Sequence, residues 1–169
     1  MFIPGFIISI ITFPGVIAHE FAHKLFCHLT GTRVREVCYF RFGNPAGYVV
    51  HDQPDSVWKH ILIGIGPFFV NTTIGLAIGL LVYFTKGQGT VNYALAWLGV
   101  SIAMHSFPSS GDAKCIWSAI WSKGSPVTAR IVGTPVVGCI VLGAVGSFFW
   151  LDLIYGVAVS LVLPRAMLG

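Results

Sequence analysis

His19 and His23 are four residues apart in the segment His19-Glu20-Phe21-Ala22-His23, which has the pattern H-E-x-x-H. Four residues are just over one helical turn, so on a helix both imidazoles lie on one face, about 6 Å apart along the axis, and can share one metal ion. Neutral imidazole suits Zn²⁺, and two protein ligands leave room for a third ligand and a water. Glu20 projects beside this face, where its carboxylate can take a proton from the water and pass it to a leaving amine. The pattern predicts a hydrolytic zinc site with His19 and His23 as metal ligands and Glu20 as the general base.

The setting of this motif argues against a chance occurrence. It follows an uncharged apolar run that begins at the first residue, and Glu20 is one of two glutamates in the chain, the other being Glu36. Ionisable residues inside a membrane span are costly and usually functional. The plainer alternative is a polar cluster at the membrane interface that reaches toward water together with Lys24. We favour the metal site.

A third metal ligand has several candidates. Asp112 follows Pro108, which ends an apolar segment, and its alternative role is to cap a helix that begins near Ala113. His105 is a second candidate, either as a metal ligand itself or as a residue that contacts the metal ligands. Asp152 is expected on the opposite side of the membrane. The other histidines, expected near the interfaces and more often solvated than ligating, are His28, His51 and His60.

Composition bounds the class of protein. Charged residues make up 9% of the chain and apolar residues 55%, against roughly 25% and 45–50% in soluble domains. We therefore expect an integral membrane protein in contact with the lipid bilayer, built as a single domain over residues 1–169. The formal net charge is +4, but the ten Lys and Arg are scattered and form no basic stripe, so nucleic acid is not an expected partner.

The apolar periodicity predicts four to five membrane helices. The expected segments are residues 1–25, bent near Pro14, then 61–84 and 91–107, and a C-terminal region 131–163 that is either one long helix or two. A short interfacial helix is expected between residues 109 and 130. Residues 31–51 alternate in polarity around the turn-forming segment 43–47, which predicts a β-hairpin. The fold class is an all-α polytopic membrane protein with a small β-hairpin after the first helix.

Basic residues predict the orientation of these helices. Four follow the first helix, three follow the third, and only Lys86 lies between the second and third; the two groups are Arg33, Arg35, Arg41 and Lys59, and Lys114, Lys123 and Arg130. The positive-inside rule then places the N-terminus outside and the metal motif toward the cytoplasmic side. If Asp152 marks an external turn, Arg165 is cytoplasmic as well.

The pattern resembles the site-2 protease family of intramembrane zinc metalloproteases. The shared features are the His19-Glu20-x-x-His23 helix, the strand region that follows it, Gly66-Pro67 with Asn71 in the next span, and Pro108 followed by Asp112. The resemblance covers residues 10–115, the expected catalytic core, and leaves helices 131–163 outside it. It departs from the family where His105 replaces an expected Asn and where Gly111-Asp112-Ala113 replaces Leu-Asp-Gly.

The resemblance implies that His19, His23 and Asp112 bind Zn²⁺ and that Glu20 is the general base. It implies an intramembrane endopeptidase whose partner is a membrane-spanning protein substrate. Asn71 and His105 are candidate substrate-binding residues; the alternative for Asn71, and the more common use of such a residue, is to link helices. Because a helical substrate hides its carbonyls, it must unwind near the site, and the hairpin edge could hold it extended. Two rival functions are a non-catalytic metal-binding membrane protein and a metal transporter. The presence of Glu20 and the lack of internal repeats argue against them.

Overall fold

The computed structural model describes residues 5–85 and 89–169, so that Lys86 and the first four residues of the first predicted helix lie outside the described residues. The elements, in chain order, are α1 Gly5–Ile11, α2 Phe13–Leu29, β1 Val34–Cys38, β2 Tyr48–His51, α3 Val57–Phe84, α4 Thr90–Met104, α5 Ser110–Ile120, α6 Val127–Gly146 and α7 Leu151–Leu168. The predicted class of mostly helical protein with a small two-stranded sheet is confirmed.

The first predicted helix is two helices. α1 and α2 meet at Thr12 with a bend of 91°. Pro14 lies in the first turn of α2, where its missing N–H costs nothing, but in a helix continued from α1 it would leave the carbonyl of Ile10 without a donor and its ring would clash with that carbonyl, so the segment is interrupted. The predicted bend near Pro14 is therefore confirmed. α2 continues to Leu29, four residues past the predicted end near Leu25.

The end of α2 is set by Gly31. Gly31 adopts a left-handed conformation with φ 70°, and the N–H of Thr32 donates to the carbonyl of Cys27 at 2.8 Å. This is the Schellman arrangement, which only a residue without a side chain enters freely. It turns the chain directly from the helix that carries the motif into the hairpin.

The predicted hairpin is present but shorter than expected. β1 and β2 pair antiparallel, with Val34 opposite His51 and Cys38 opposite Tyr48, and the register is irregular between Val34 and Glu36. Alternation continued in the sequence to residue 42, yet residues 39–47 form a loop that we call the hairpin loop. Phe40 leaves the strand pattern because its ring packs against Phe13 of α2, at a centroid distance of 5.9 Å.

α3 and α4 form the centre of the helical body. A Cβ on Gly75 would lie 2.6 Å from the Cβ of Ala103, and one on Gly79 would lie 2.2 Å from the carbonyl oxygen of Ser160. The two glycines thus let α4 and α7 approach α3 closely, as small residues do between membrane helices. α4 ends at Met104 instead of the predicted residue 107, since the chain must leave the helix before Pro108.

The C-terminal region contains two helices, in agreement with the second of the two alternatives. α6 is followed by a 3₁₀ turn, Ser147–Phe149, and by Trp150 with φ 61°, which separates it from α7. α7 includes a π-helical turn at Ala158–Val162.

α7 runs in the same direction as α3. Tyr155 is hydrogen-bonded to Thr72 midway along α3, with 2.8 Å between the hydroxyl oxygens, and the Tyr83 hydroxyl near the end of α3 donates to the Leu168 carbonyl at 3.2 Å. Arg165 consequently lies near the C-terminal end of α3. The expectation that Arg165 lies on the side of the basic loops depended on a turn at Asp152 that would send α7 back along α3, and α7 makes no such reversal.

Three of the described helices are long and apolar enough to cross a membrane, namely Val57–Phe84, Val127–Phe149 and Leu151–Leu168, and the bent pair α1 and α2 would make a fourth. α5 lies between α3 and α6. Its Ile116 and Ile120 are fully buried against Ile61, whereas Trp117 and Trp121 are about half exposed. This two-faced character is typical of the interfacial helix predicted between residues 109 and 130.

Candidate metal centre

His19, His23 and Asp112 meet where α2 approaches the start of α5. Their potential ligand atoms all lie within 4.8 Å of one another. His19 Nε2 and His23 Nε2 are 3.2 Å apart, and His23 Nε2 is 3.4 Å from Asp112 Oδ1. Among residues 5–85 and 89–169, these three side chains form the cluster of His, Cys, Asp or Glu that is large enough and close enough to hold a metal ion.

Backbone carbonyls hold the two imidazoles in one tautomer. His19 Nδ1–H donates to the carbonyl of His105 at 2.8 Å, and His23 Nδ1–H donates to the carbonyl of Ile63 at 2.9 Å. Because each neutral ring has its proton on Nδ1, each Nε2 carries a lone pair directed at the other. Two such nitrogens cannot hydrogen-bond to each other. A cation between them removes the conflict, and an Nδ1–H to carbonyl bond is the usual support of a metal-bound histidine.

The donor set fits zinc in its chemistry and spacing. Two imidazole nitrogens and one carboxylate oxygen form a common zinc ligand set that leaves a fourth position open. Ligands at about 2.0–2.1 Å from a tetrahedral metal are about 3.3 Å apart. The observed distances from His23 Nε2, 3.2 Å to His19 Nε2 and 3.4 Å to Asp112 Oδ1, match this distance between ligand atoms. Zinc is the cofactor that these residues can hold.

Asp112 divides its two carboxylate oxygens between two tasks. Oδ2 accepts hydrogen bonds from the N–H and the hydroxyl of Ser109, both at 2.7 Å, and the N–H of Asp112 donates back to Ser109 Oγ at 3.2 Å. This reciprocal pair is a capping box at the start of α5. Oδ1 remains free to face His23. The alternative role of Asp112, as the N-cap of a helix beginning near Ala113, is not the one observed, because Ser109 is the N-cap and Asp112 is the third residue of the helix.

The Asp112 carboxyl group is ionised in this environment. Burial alone would raise its pKa, but the positive charge that His23 and His19 carry when protonated, together with the hydrogen bond from Ser109, outweighs burial and holds the pKa well below its usual range. The side chain therefore offers a negative oxygen to a cation without needing to lose a proton first.

Glu20 lines the same cavity as these three residues. Its side chain is 8% exposed, and it lies next to Gly47 of the hairpin. The cavity has a volume of about 980 Å³ and is enclosed by α2, the hairpin, the segment before α3, the first turns of α3, and α5. A cavity of this size beside a potential metal ligand set can admit water and an extended polypeptide segment.

Several cavity residues were not predicted as part of the site. They come from β2, the first turns of α3 and α5: Tyr48, His51, His60, Lys114 and Cys115. His51 and His60 were expected to be solvated at an interface, and they line the cavity. A hairpin directly after the motif helix could have indicated His51, since β2 must fold back next to α2, but no sequence pattern singled out His60.

Asn71 and His105 do not line this cavity. Asn71 is fully buried, and its Nδ2 donates to the carbonyls of His105 at 3.0 Å and Gly15 at 3.4 Å. The His105 imidazole is turned to the carbonyl of Ser101, 2.9 Å from Nδ1, and only its own carbonyl reaches His19. The geometry favours the helix-linking alternative for Asn71 and a supporting position for His105. Neither His105 nor Asp152 belongs to the potential metal group among the described residues.

Comparison with known proteins gives one match. Residues 12–125 match the sequence model of a protein family described as "Putative zincin peptidase". No curated protein and no solved structure matches the chain. The matched range begins just before α2 and ends just after α5, and it therefore includes every residue of the potential metal group.

Proposed function

The chain belongs to this family of zincin peptidases, which are zinc metallopeptidases, and from that premise we propose that it is an intramembrane endopeptidase of the site-2 protease type. Its substrates would be membrane-spanning proteins. The observation that carries the proposal is the position of the group His19, His23 and Asp112, with Glu20, in a cavity bounded by α2 and by the first turns of α3, a helix long enough to cross a membrane.

The residues of the site divide the chemistry among them. Zinc held by His19, His23 and Asp112 would act as a Lewis acid that makes a water nucleophilic near neutral pH and polarises a carbonyl. Glu20 takes the proton that the attacking water loses and delivers it to the amine that leaves. The carbonyls of His105 and Ile63 keep both imidazoles oriented through the reaction.

The hairpin supports the proposal of an extended substrate. Tyr48, Val49 and His51 of β2 line the cavity, and the described sheet has two strands, so that each strand pairs on one edge only. A polypeptide that adds to the open edge of β2 gains backbone hydrogen bonds that replace those of its own helix. Its carbonyls would then be exposed beside Glu20.

Purified protein tests the proposal directly. We expect close to stoichiometric zinc and cleavage of a synthetic membrane-helix peptide in liposomes; a strong chelator should remove both, and added zinc should restore both. Zinc-loaded protein that cleaves no membrane-helix peptide would favour the non-catalytic metal-binding alternative. Movement of zinc across the vesicles, without cleavage, would favour a transporter.

We propose further that the cavity opens toward the cytoplasm. Its walls include the hairpin and α5, so both groups of basic residues lie at one end of the helical body. Single cysteines at positions 35 and 123, in a variant without the four natural cysteines, are expected to resist a membrane-impermeant thiol reagent applied to intact cells. A cysteine at position 85, at the other end of α3, should react. The reverse pattern would invert the orientation.

A further inference from the structure

We propose that Gly47 is a positioning residue for Glu20: the hairpin loop presses its backbone against the Glu20 side chain and so fixes the carboxylate. This inference rests on the proposed function. A Cβ placed on Gly47 would lie 2.6 Å from Glu20 Cγ, 3.0 Å from Glu20 Oε1 and 3.0 Å from the carbonyl oxygen of Tyr39. The backbone at Gly47 therefore touches Glu20 with no room for a side chain.

The hairpin loop is attached to α2 on both sides of Glu20. The ring of Phe40 packs on Phe13, about two turns before Glu20, with ring centroids 5.9 Å apart. Lys24, one turn after Glu20, donates to the Tyr39 hydroxyl at 3.1 Å. These contacts hold Tyr39 and Phe40 along α2, and Gly47 lies beside the Tyr39 carbonyl at the other end of the same loop.

Packing is what fixes Glu20. Within residues 5–85 and 89–169, the Glu20 carboxylate makes no side-chain hydrogen bond, and it is 8% exposed. A carboxylate held by contact at Cγ and Oε1 keeps its lone pairs available for a proton. The arrangement thus combines a fixed position with an unpaired acceptor.

The requirement for glycine at position 47 is one of space. Gly47 does not have a positive φ, so its backbone conformation is open to alanine. Gly43, in the same loop, provides the matched control: the nearest atom to a Cβ there is Arg41 Nε at 3.7 Å, and its φ is not positive either. Alanine at either position changes the loop by one methyl group, but only at Gly47 does the methyl group meet Glu20.

The kinetic test uses Gly47→Ala and Gly43→Ala in the full-length protein. Gly47→Ala is expected to retain zinc and to lower kcat by on the order of 10²-fold, the cost of misplacing a reacting group by about 1 Å, with KM little changed. Gly43→Ala should match the wild type. In a Glu20→Gln background, Gly47→Ala should cause no further loss, because its effect acts through the carboxylate. An equal loss in both backgrounds, or full activity of Gly47→Ala, would overturn the proposal.

A cross-link tests the contact without enzyme activity. In a variant without natural cysteines, a cysteine pair at positions 20 and 47 should form a disulfide on mild oxidation, and a pair at 20 and 43 should not. Failure of the 20–47 pair overturns the inference even where cleavage is observed. Wild-type protein that cleaves nothing removes the proposed function and the positioning role together, whereas additive losses in the kinetic test remove only the role of Gly47.

Discussion

Glu20→Gln is expected to retain zinc and to lose turnover by the roughly 10² to 10⁴-fold typical of a missing general base. Glu20 lines the cavity but is not one of the three residues whose ligand atoms converge. Glutamine has the same length and fits the same space beside Gly47, yet it cannot take a proton. Cleavage of a synthetic membrane-helix peptide and zinc content, measured on the same preparation, check this result.

His23→Ala is the control that separates proton transfer from metal binding. His23 Nε2 faces both His19 Nε2 and Asp112 Oδ1, so its removal should abolish zinc content as well as cleavage. Unchanged cleavage by Glu20→Gln would mean that the hydrolytic mechanism proposed above is wrong. Loss of zinc from Glu20→Gln would instead make Glu20 a ligand.

Asp112→Asn is expected to lower zinc affinity by more than the 10 to 100-fold typical of mutating a residue that only hydrogen-bonds to a metal ligand. Activity should fall together with zinc affinity. The amide keeps the shape of the side chain and an oxygen for Ser109, but it removes the negative charge that faces His23 through Oδ1. Zinc affinity by competition with a chromophoric chelator, together with thermal unfolding of the metal-free protein, checks this result.

Ser109→Ala separates the two tasks of Asp112. It removes the hydroxyl that caps α5 and donates to Oδ2, so it should cost about 1 kcal/mol in stability while zinc binding is reduced far less than in Asp112→Asn. If Ser109→Ala and Asp112→Asn lose zinc equally, the carboxylate acts mainly through the helix cap, and Asp112 is not a ligand.

The local parts of the site could be predicted from the sequence. The spacing of His19 and His23 follows from helical geometry alone, and the hairpin follows from alternation around a turn. Asp112 was predicted as a metal ligand from its position after Pro108 and from the family resemblance. In the structure its carboxylate lies 3.4 Å from His23 Nε2.

The groups that support these side chains could not be predicted. The carbonyls of His105 and Ile63 orient the histidines, and the backbone of Gly47 contacts Glu20. Every residue has a backbone carbonyl, so residue type does not reveal which carbonyl will accept a hydrogen bond from a histidine. The two pairs are also 40 and 86 positions apart in the chain. The direction of α7 was also hidden, because it depends on helix packing and not on local periodicity.

The shortness of α4 bears on how deep the proposed intramembrane site would lie in a bilayer. Its 15 residues rise about 22 Å, whereas the hydrocarbon layer is about 30 Å thick. The C-terminal end of α4 lies next to His105, whose carbonyl holds His19, and shortly before Ser109–Asp112, which line the cavity. In the proposed intramembrane setting, a bilayer that thins around α4 would meet this hydrophobic mismatch. Such thinning would bring bulk water nearer to Glu20 without any helix having to open.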